Sequence, residues 1–181
     1  YILVSHGHFD HFGDGIKLAR QTGALLVSTY EITLFAQSQG IENVHAMNIG
    51  GGYDFPFGRV KMTPAAHGGQ VVGDETGAYT TTPGGFLIDL KRSDPAARYR
   101  LYHAGDTALI TDMQLLRNQV DIALLPIGDN YTMGPADAVR AIDFINPGVV
   151  IPMHYNTFDL IKQDPEAFRR SVGNRAEVLI L

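Results

Sequence analysis

Three histidines and one aspartate lie within six positions near the start of the chain. Residues 6–11 read His-Gly-His-Phe-Asp-His. Side chains two positions apart in an extended stretch share a side, so His6 and His8 can reach one cation. Asp10 and His11, after the chain turns, can reach a second cation nearby. Neutral imidazole and carboxylate are ligands that suit Zn, Mn or Fe. The spacing therefore predicts a metal-binding loop rather than a solvated His-rich loop, the alternative.

Two cations need more ligands than this loop provides. His67, Asp106, Asp129 and His154 each come just past an apolar strand, where rigid scaffolds present reactive groups. Together with residues 6–11, His67, Asp106 and His154 complete two three-residue ligand sets and a bridging carboxylate. Two other histidines are predicted to be structural. His45 lies inside a strand, and His103, three residues before Asp106, is expected to support the ligands without joining them.

Strands and helices alternate along the chain without internal repeats or a linker, so residues 1–181 are predicted to form one α/β (α+β) domain. Period and turn residues predict strands over 1–4, 24–27, 44–47, 59–63, 86–90, 100–103, 122–126, 149–152 and 178–181. Helices are predicted over 14–21, 28–37, 112–118, 134–144 and 165–172. The second helix begins with a capping-box pattern, Ser28 with Glu31. Helices 14–21 and 28–37 could cover the core or form a homo-oligomer contact.

Composition excludes several classes of protein. The 181 residues contain no Cys, so disulfides, thiolate nucleophiles and Cys-ligated clusters are excluded. A net charge of −5 argues against electrostatic capture of nucleic acid or an anionic membrane. No apolar run approaches the roughly 20 residues of a transmembrane helix. A cytoplasmic location is the default expectation. Because the chain opens inside a strand, we also expect an N-terminal segment to precede it.

The pattern of possible ligands resembles a known superfamily. His6-x-His8-x-Asp10-His11, then His67, Gly105-Asp106 and His154, resembles the metallo-β-lactamase superfamily in order and spacing. One branch of this superfamily is more similar to the chain than the others. Residues 43–51, 102–107, 125–135 and 152–158 are similar to the UPF0173 metal-dependent hydrolases, relatives of the ascorbate-6-phosphate lactonase group. The similarity runs over essentially the whole chain.

The resemblance implies a fold and a ligand set. The fold would be the αββα sandwich, two mixed sheets packed face to face with helices outside, here without the family's N-terminal strands. The site would hold two divalent ions, with Zn expected in preference to Mn or Fe. One ion would bind His6, His8 and His67. The other would bind Asp10, His11 and His154, and Asp106 would bridge the two. The histidine at position 8, where flavodiiron oxygen reductases have Glu, argues against oxygen chemistry.

The chemistry predicted from this site is hydrolysis of a small ester, lactone or phosphoester by a metal-bridged hydroxide. Asp10 and Asp106 would be the catalytic carboxylates that hold the metals and accept a proton. Four polar residues beside the ligand loops could donate to an oxyanion or leaving group, with turn capping and packing as equal alternatives: Asn130, Thr132, Tyr155 and Asn156. Nuclease action and a non-catalytic metal-binding module are the competing functions. Acidic charge and the absence of Trp disfavour the nuclease.

Overall fold

The computed structural model describes residues 1–91 and 98–181. The strands in this part of the chain are β1 (Ile2–Leu3), β2 (Leu26–Thr29), β3 (Val44–Met47), β4 (Gly52–Phe55), β5 (Gly58–Pro64), β6 (Gly84–Lys91), β7 (Arg98–His103), β8 (Ile122–Pro126), β9 (Val149–Met153) and β10 (Glu177–Val178). The α-helices are α1 (Phe9–Phe12), α2 (Gly15–Thr22), α3 (Tyr30–Ser38), α4 (Pro135–Ile145) and α5 (Pro165–Val172). Two 3₁₀ helices cover Thr111–Leu116 and Asp159–Ile161.

The strands form two sheets. The smaller sheet has the order β1-β2-β3, and both of its pairings are parallel. The larger has the order β10-β9-β8-β7-β6-β5-β4, antiparallel from β4 to β7 and parallel from β7 to β10. The two expected sheets are present: among the described residues the larger one is mixed, and the three strands of the smaller one are parallel.

Side chains alternate between the two faces of each sheet, and both faces of each sheet are buried. One face packs against helices and the other against the second sheet, which gives four layers. In β2, Leu26 packs with the buried side chains of α2 and α3, whereas its neighbour Val27 packs between the sheets with Met62 of β5. A third cluster joins the other face of the larger sheet to α4 and α5. It includes Leu125 and Ile142. Helices, sheet, sheet and helices therefore stack in the predicted αββα order.

Several predicted element boundaries were wrong. The capping box does not form, because Ser28 belongs to β2 and its hydroxyl donates to the Val4 carbonyl at 2.8 Å. The helix begins at Tyr30, and its N-cap Thr29 makes no side-chain capping bond. The helix expected over 112–118 is a 3₁₀ helix over Thr111–Leu116. The strand expected over 178–181 is shorter and consists of the two residues of β10, Glu177–Val178. Sequence reasoning also missed β4 and α1, which are four residues each.

Strand direction determines where the candidate ligands meet. Strand β6 is antiparallel to both β5 and β7, and β8 and β9 are parallel to β7. Strands β5, β7 and β9 therefore end at the same edge of the larger sheet. The Gly84 amide, at the start of β6, donates to the Ser5 carbonyl at 3.0 Å, which brings the end of β1 to this edge. None of the helices in residues 1–91 and 98–181 has the length and apolar character to cross a membrane.

Candidate metal centre

Seven side chains from both sheets converge at this edge in two groups. One group contains His6, His8 and His67, and the other contains Asp10, His11, Asp106 and His154. Within each group the potential ligand atoms lie within 4.8 Å of one another. The segment after β1, which includes α1, supplies four members, and the loops after β5, β7 and β9 supply one each. These are the same seven residues that the sequence pattern predicted as ligands.

The first group directs three imidazole nitrogens at one point. His6 Nε2 lies 3.0 Å from His8 Nδ1, and His67 Nε2 lies 3.3 Å from the same atom. Tetrahedral ligation at bond lengths of 2.0–2.1 Å would separate two ligand nitrogens by about 3.3 Å. The spacing of the three nitrogens fits one cation held by neutral imidazoles.

The second group has the same spacing. His11 Nε2 is 3.5 Å from Asp10 Oδ2 and 3.2 Å from Asp106 Oδ2. His154 Nε2 is 3.4 Å and 3.0 Å from the same two oxygens. Two carboxylates and two imidazoles therefore surround a second point, and this donor set suits a borderline divalent cation.

One oxygen connects the two groups. Asp106 Oδ2, besides its contacts in the second group, lies 3.6 Å from His67 Nε2 and 4.0 Å from His6 Nε2. The carboxyl group is buried, and its other oxygen, Oδ1, has no hydrogen-bond partner in the structure. His11 Nε2 likewise lacks a partner of hydrogen-bond geometry. A buried polar atom without a partner is costly, and a cation at the second point would satisfy His11 Nε2.

The pKa shifts of His6, His67 and Asp106 favour cation binding. Burial and the neighbouring His11 lower the pKa of His6 to about 3, so its ring is neutral at pH 7. Burial also lowers the pKa of His67. Burial raises the pKa of Asp106, but the neighbouring imidazoles of His11 and His154 outweigh this effect and hold the net pKa below the ordinary range. The hydrogen bond to Asp106 raises the pKa of His154, so at this ring a proton competes with a cation.

Local contacts fix the rings and loops. Ser5 Oγ lies 3.1 Å from His6 Nδ1 and 3.5 Å from His11 Nδ1. One hydroxyl oxygen can accept from both N–H groups, which leaves the Nε2 lone pairs free for metal. The loops of His67 and Asp106 are tied together because Thr107 Oγ1 accepts from the Ala66 amide at 3.0 Å.

Backbone conformation also places two of the ligand loops. Gly105 has φ +65°, and a Cβ there would lie 2.6 Å from the Gly84 carbonyl oxygen, so Asp106 depends on glycine before it. His154 itself has φ +54°, which is uncommon for a residue other than glycine. Such conformations persist when surrounding structure enforces them, and they concentrate at functional sites.

The remaining predicted residues lie outside the two groups. The ring of His103 accepts the Gly105 amide through Nδ1 at 3.1 Å, as a residue that supports the Asp106 loop would. Burial lowers the pKa of His103. The ring of His45 contacts that of Tyr53 at a tilt and that of Phe55 edge-on, in keeping with a structural role. Asp129 is exposed, and its carboxylate accepts a hydrogen bond from the Asn130 amide. It therefore lies outside the convergent site, contrary to the expectation from sequence.

The four proposed substrate donors do not line the cavity over the site. Asn156 Oδ1 accepts from the Gln163 amide at 2.8 Å, and the Thr132 hydroxyl donates to the Met133 carbonyl. Asn130 has φ +49° in the same turn as Asp129, and Tyr155 packs against the core beneath α4 and α5. These contacts favour turn formation and packing as their roles.

The cavity that opens onto the metal site has a volume of about 510 Å³. Five of the seven candidate ligands line it. The other lining residues are Phe9, Tyr131, Phe158 and Leu160. Sequence reasoning missed these four, although each lies within six positions of a candidate ligand or of Asp129. All four side chains are exposed.

Comparison with known proteins gives consistent results. The family model for the beta-lactamase superfamily domain matches residues 1–155. A UPF0173 metal-dependent hydrolase from Shouchella clausii is 49% identical over 175 residues, which are 94% of this chain and 74% of the relative. One from Desulforamulus reducens is 50% identical over 175 residues, or 95% and 74% of the two chains. Igni18, a metallo hydrolase from Ignicoccus hospitalis with a solved structure, is 34% identical with a TM-score of 0.85, covering 99% of this chain and 74% of Igni18.

The chain therefore belongs to the beta-lactamase superfamily and, within it, to the UPF0173 metal-dependent hydrolase family. This membership confirms the resemblance inferred from the ligand motifs and the fold that the resemblance implied.

Proposed function

We propose that this protein is a hydrolase that uses two divalent cations, Zn before Mn or Fe, to cleave a small ester, lactone or phosphoester. The observation that carries the proposal is the pair of ligand groups that share Asp106 Oδ2. The names of the relatives from Shouchella clausii and Desulforamulus reducens support metal-dependent hydrolysis. Two adjacent cations supply Lewis acidity and lower the pKa of water toward neutrality.

The residues of the chain have separable roles in this scheme. His6, His8 and His67 would hold the first cation through neutral nitrogens, and Asp10, His11 and His154 would hold the second. Asp106 stays ionised, because its pKa is low, and would balance both charges. Asp10 and Asp106 both line the cavity, and Asp10 is the less buried of the two. Asp10 is therefore placed to accept the proton that water releases when it attacks the substrate.

Two other expectations accompany this proposal. The partner would be a small molecule and not nucleic acid, because the chain is acidic and no Lys or Arg lines the cavity among the described residues. A cytoplasmic location and homo-oligomer formation remain predictions.

Hydrolysis assays on protein loaded with Zn²⁺ or Mn²⁺ test the proposal. The substrates are p-nitrophenyl acetate, γ-butyrolactone and bis-p-nitrophenyl phosphate, each compared with chelator-treated protein. We expect turnover of at least one substrate that chelation abolishes and metal restores. Flat rates on all three with both metals bound would contradict hydrolysis and favour the non-catalytic module.

A further inference from the structure

Four large hydrophobic side chains beside the metal site are exposed. The exposed fractions are 62% for Phe9, 52% for Tyr131, 40% for Phe158 and 65% for Leu160. We call these four residues the apolar wall. A single exposed hydrophobic residue is ordinary, but several that line one cavity indicate a surface for binding.

The apolar wall is built onto the ligand loops. Phe9 stands between His8 and Asp10, and its ring meets that of Phe158 edge-on with centroids 6.0 Å apart. Leu160 lies in the 3₁₀ helix Asp159–Ile161, and the fully buried Ile161 anchors this turn. The Ile161 carbonyl also accepts from the Asn156 amide at 3.0 Å. Phe9, Phe158 and Leu160 therefore have fixed positions relative to the two ligand groups.

Charge limits what can lie against this wall. The charged groups among the described lining residues are the carboxylates of Asp10 and Asp106, and no guanidinium or ammonium group is among them. Lys162, which follows the 3₁₀ helix, pairs with Asp159 at 2.7 Å. A second anionic group on a substrate would find no cationic side chain in the cavity. An apolar group would instead remove apolar surface from water.

We propose that the apolar wall binds the apolar acyl part of an uncharged carboxylic ester or lactone whose carbonyl lies at the metal site. The inference rests on the proposed hydrolase function and narrows its substrate class. In the reaction, the oxygen of water bonds to the carbonyl carbon and the acyl C–O bond breaks. The departing alkoxide takes up a proton that the water released, giving an acid and an alcohol from an ester or one hydroxy acid from a lactone. The cavity volume of about 510 Å³ is within the range of small-molecule sites.

Binding of alkyl hydroxamates tests the wall without turnover. Calorimetry on the Zn²⁺-loaded full chain would compare acetohydroxamate with hexanohydroxamate, which share a metal-binding head. We expect Kd to fall about tenfold over the four added methylenes, less than the roughly 200-fold of full burial because the wall is open. The double variant Phe158→Ala, Leu160→Ala should reduce this gain to about threefold or less. Leu115→Ala, at a position 74% exposed and away from this cavity, is the matched control.

A charge placed in the wall provides a second test that does not depend on removing apolar area. Leu160→Lys should raise kcat/KM for mono-p-nitrophenyl glutarate relative to p-nitrophenyl valerate by about tenfold, because it adds the missing cation. Leu160 is exposed, so we expect the variant to fold.

The outcomes separate this inference from the proposed function. Equal Kd values for the two hydroxamates, or a gain that the double variant leaves intact, would overturn the apolar wall as a subsite. Hydrolysis of esters without preference for longer acyl chains would overturn it too, with the hydrolase function retained. Chain-length-dependent hydroxamate binding without any hydrolysis would support the wall and count against the hydrolase.

Discussion

Asp106 is the residue on which the metal site depends most, because its Oδ2 atom faces both ligand groups. Asp106→Ala removes the shared ligand and leaves imidazole nitrogens facing one another. We expect the variant to lose at least one metal equivalent and about 100-fold or more in activity. Elemental analysis and the ester assay measure the two effects, with the exposed Asp112→Asn as control. Full activity and metal content in Asp106→Ala would refute the shared-carboxylate arrangement.

Ser5 is predicted to orient two ligands although it binds neither metal. Its hydroxyl is the shared partner of His6 Nδ1 and His11 Nδ1. Ser5→Ala should therefore weaken metal affinity by about 10–100-fold. Ser5→Thr keeps the hydroxyl and serves as the matched control. Competition with a fluorescent zinc chelator measures the affinities, and an unchanged value in Ser5→Ala would show that other contacts orient the rings.

At the scale of elements, helix α5 offers a test of local electrostatics. The carboxylate of Asp164 accepts from the amides of Ala167 and Glu166, and these bonds lower its pKa. A lowered pKa means that the stabilising contribution is present above the ordinary value of 3.8 and is lost as pH falls through the folded-state value. Asp164→Ala should reduce Tm at pH 7 by about 2–4 °C, and the difference should shrink as the pH falls below the ordinary value of 3.8.

The control for this prediction is Asp164→Asn. Asparagine caps helices but does not titrate. Asp164→Asn should therefore keep Tm at pH 7 close to that of the original protein and remove the part of the Tm loss at low pH that comes from protonation of Asp164. Thermal unfolding followed by circular dichroism from pH 2.5 to 7 would measure both. The same Tm loss at every pH in Asp164→Ala would contradict a charged cap.

Elements were predictable from sequence where one local signal dominated. The apolar run of β8 and the Pro-initiated α5 have the predicted bounds. The helix expected after Ser28 shifted because the Val4 carbonyl, distant in sequence, captured the serine hydroxyl. Strand β4 pairs with β5, but residues 52–54 are exposed, so its composition carried no core signal.

The candidate ligands were predictable for a different reason. His6, His8, Asp10 and His11 are concentrated in one loop, and the three distant members each end an apolar strand. Substrate-side residues have no comparable signal, since polar side chains in turns are common. The expected donors accordingly lie in turn and packing contacts, whereas exposed hydrophobic residues line the cavity.

At the scale of the whole molecule, the metal site joins the two sheets. Four ligands follow β1 of the smaller sheet, and three follow strands of the larger one. Ligands that bind the folded state alone raise its stability by mass action. Chelation should therefore lower Tm, and free Zn²⁺ at about 1,000 times Kd should raise it by about 10 °C relative to the chelated protein. Scanning fluorimetry measures this, with Asp106→Ala expected to show a smaller shift. Identical Tm values with and without metal would argue that the site does not stabilise the fold.

The most direct test of the central claim is the metal content per chain. Protein would be purified without chelators or a His tag, and its metal measured by elemental analysis together with protein concentration by amino-acid analysis. The arrangement of seven ligands predicts about two equivalents of Zn, Mn or Fe. One equivalent or less, not increased by added metal, would contradict the two-cation site and the hydrolytic scheme built on it.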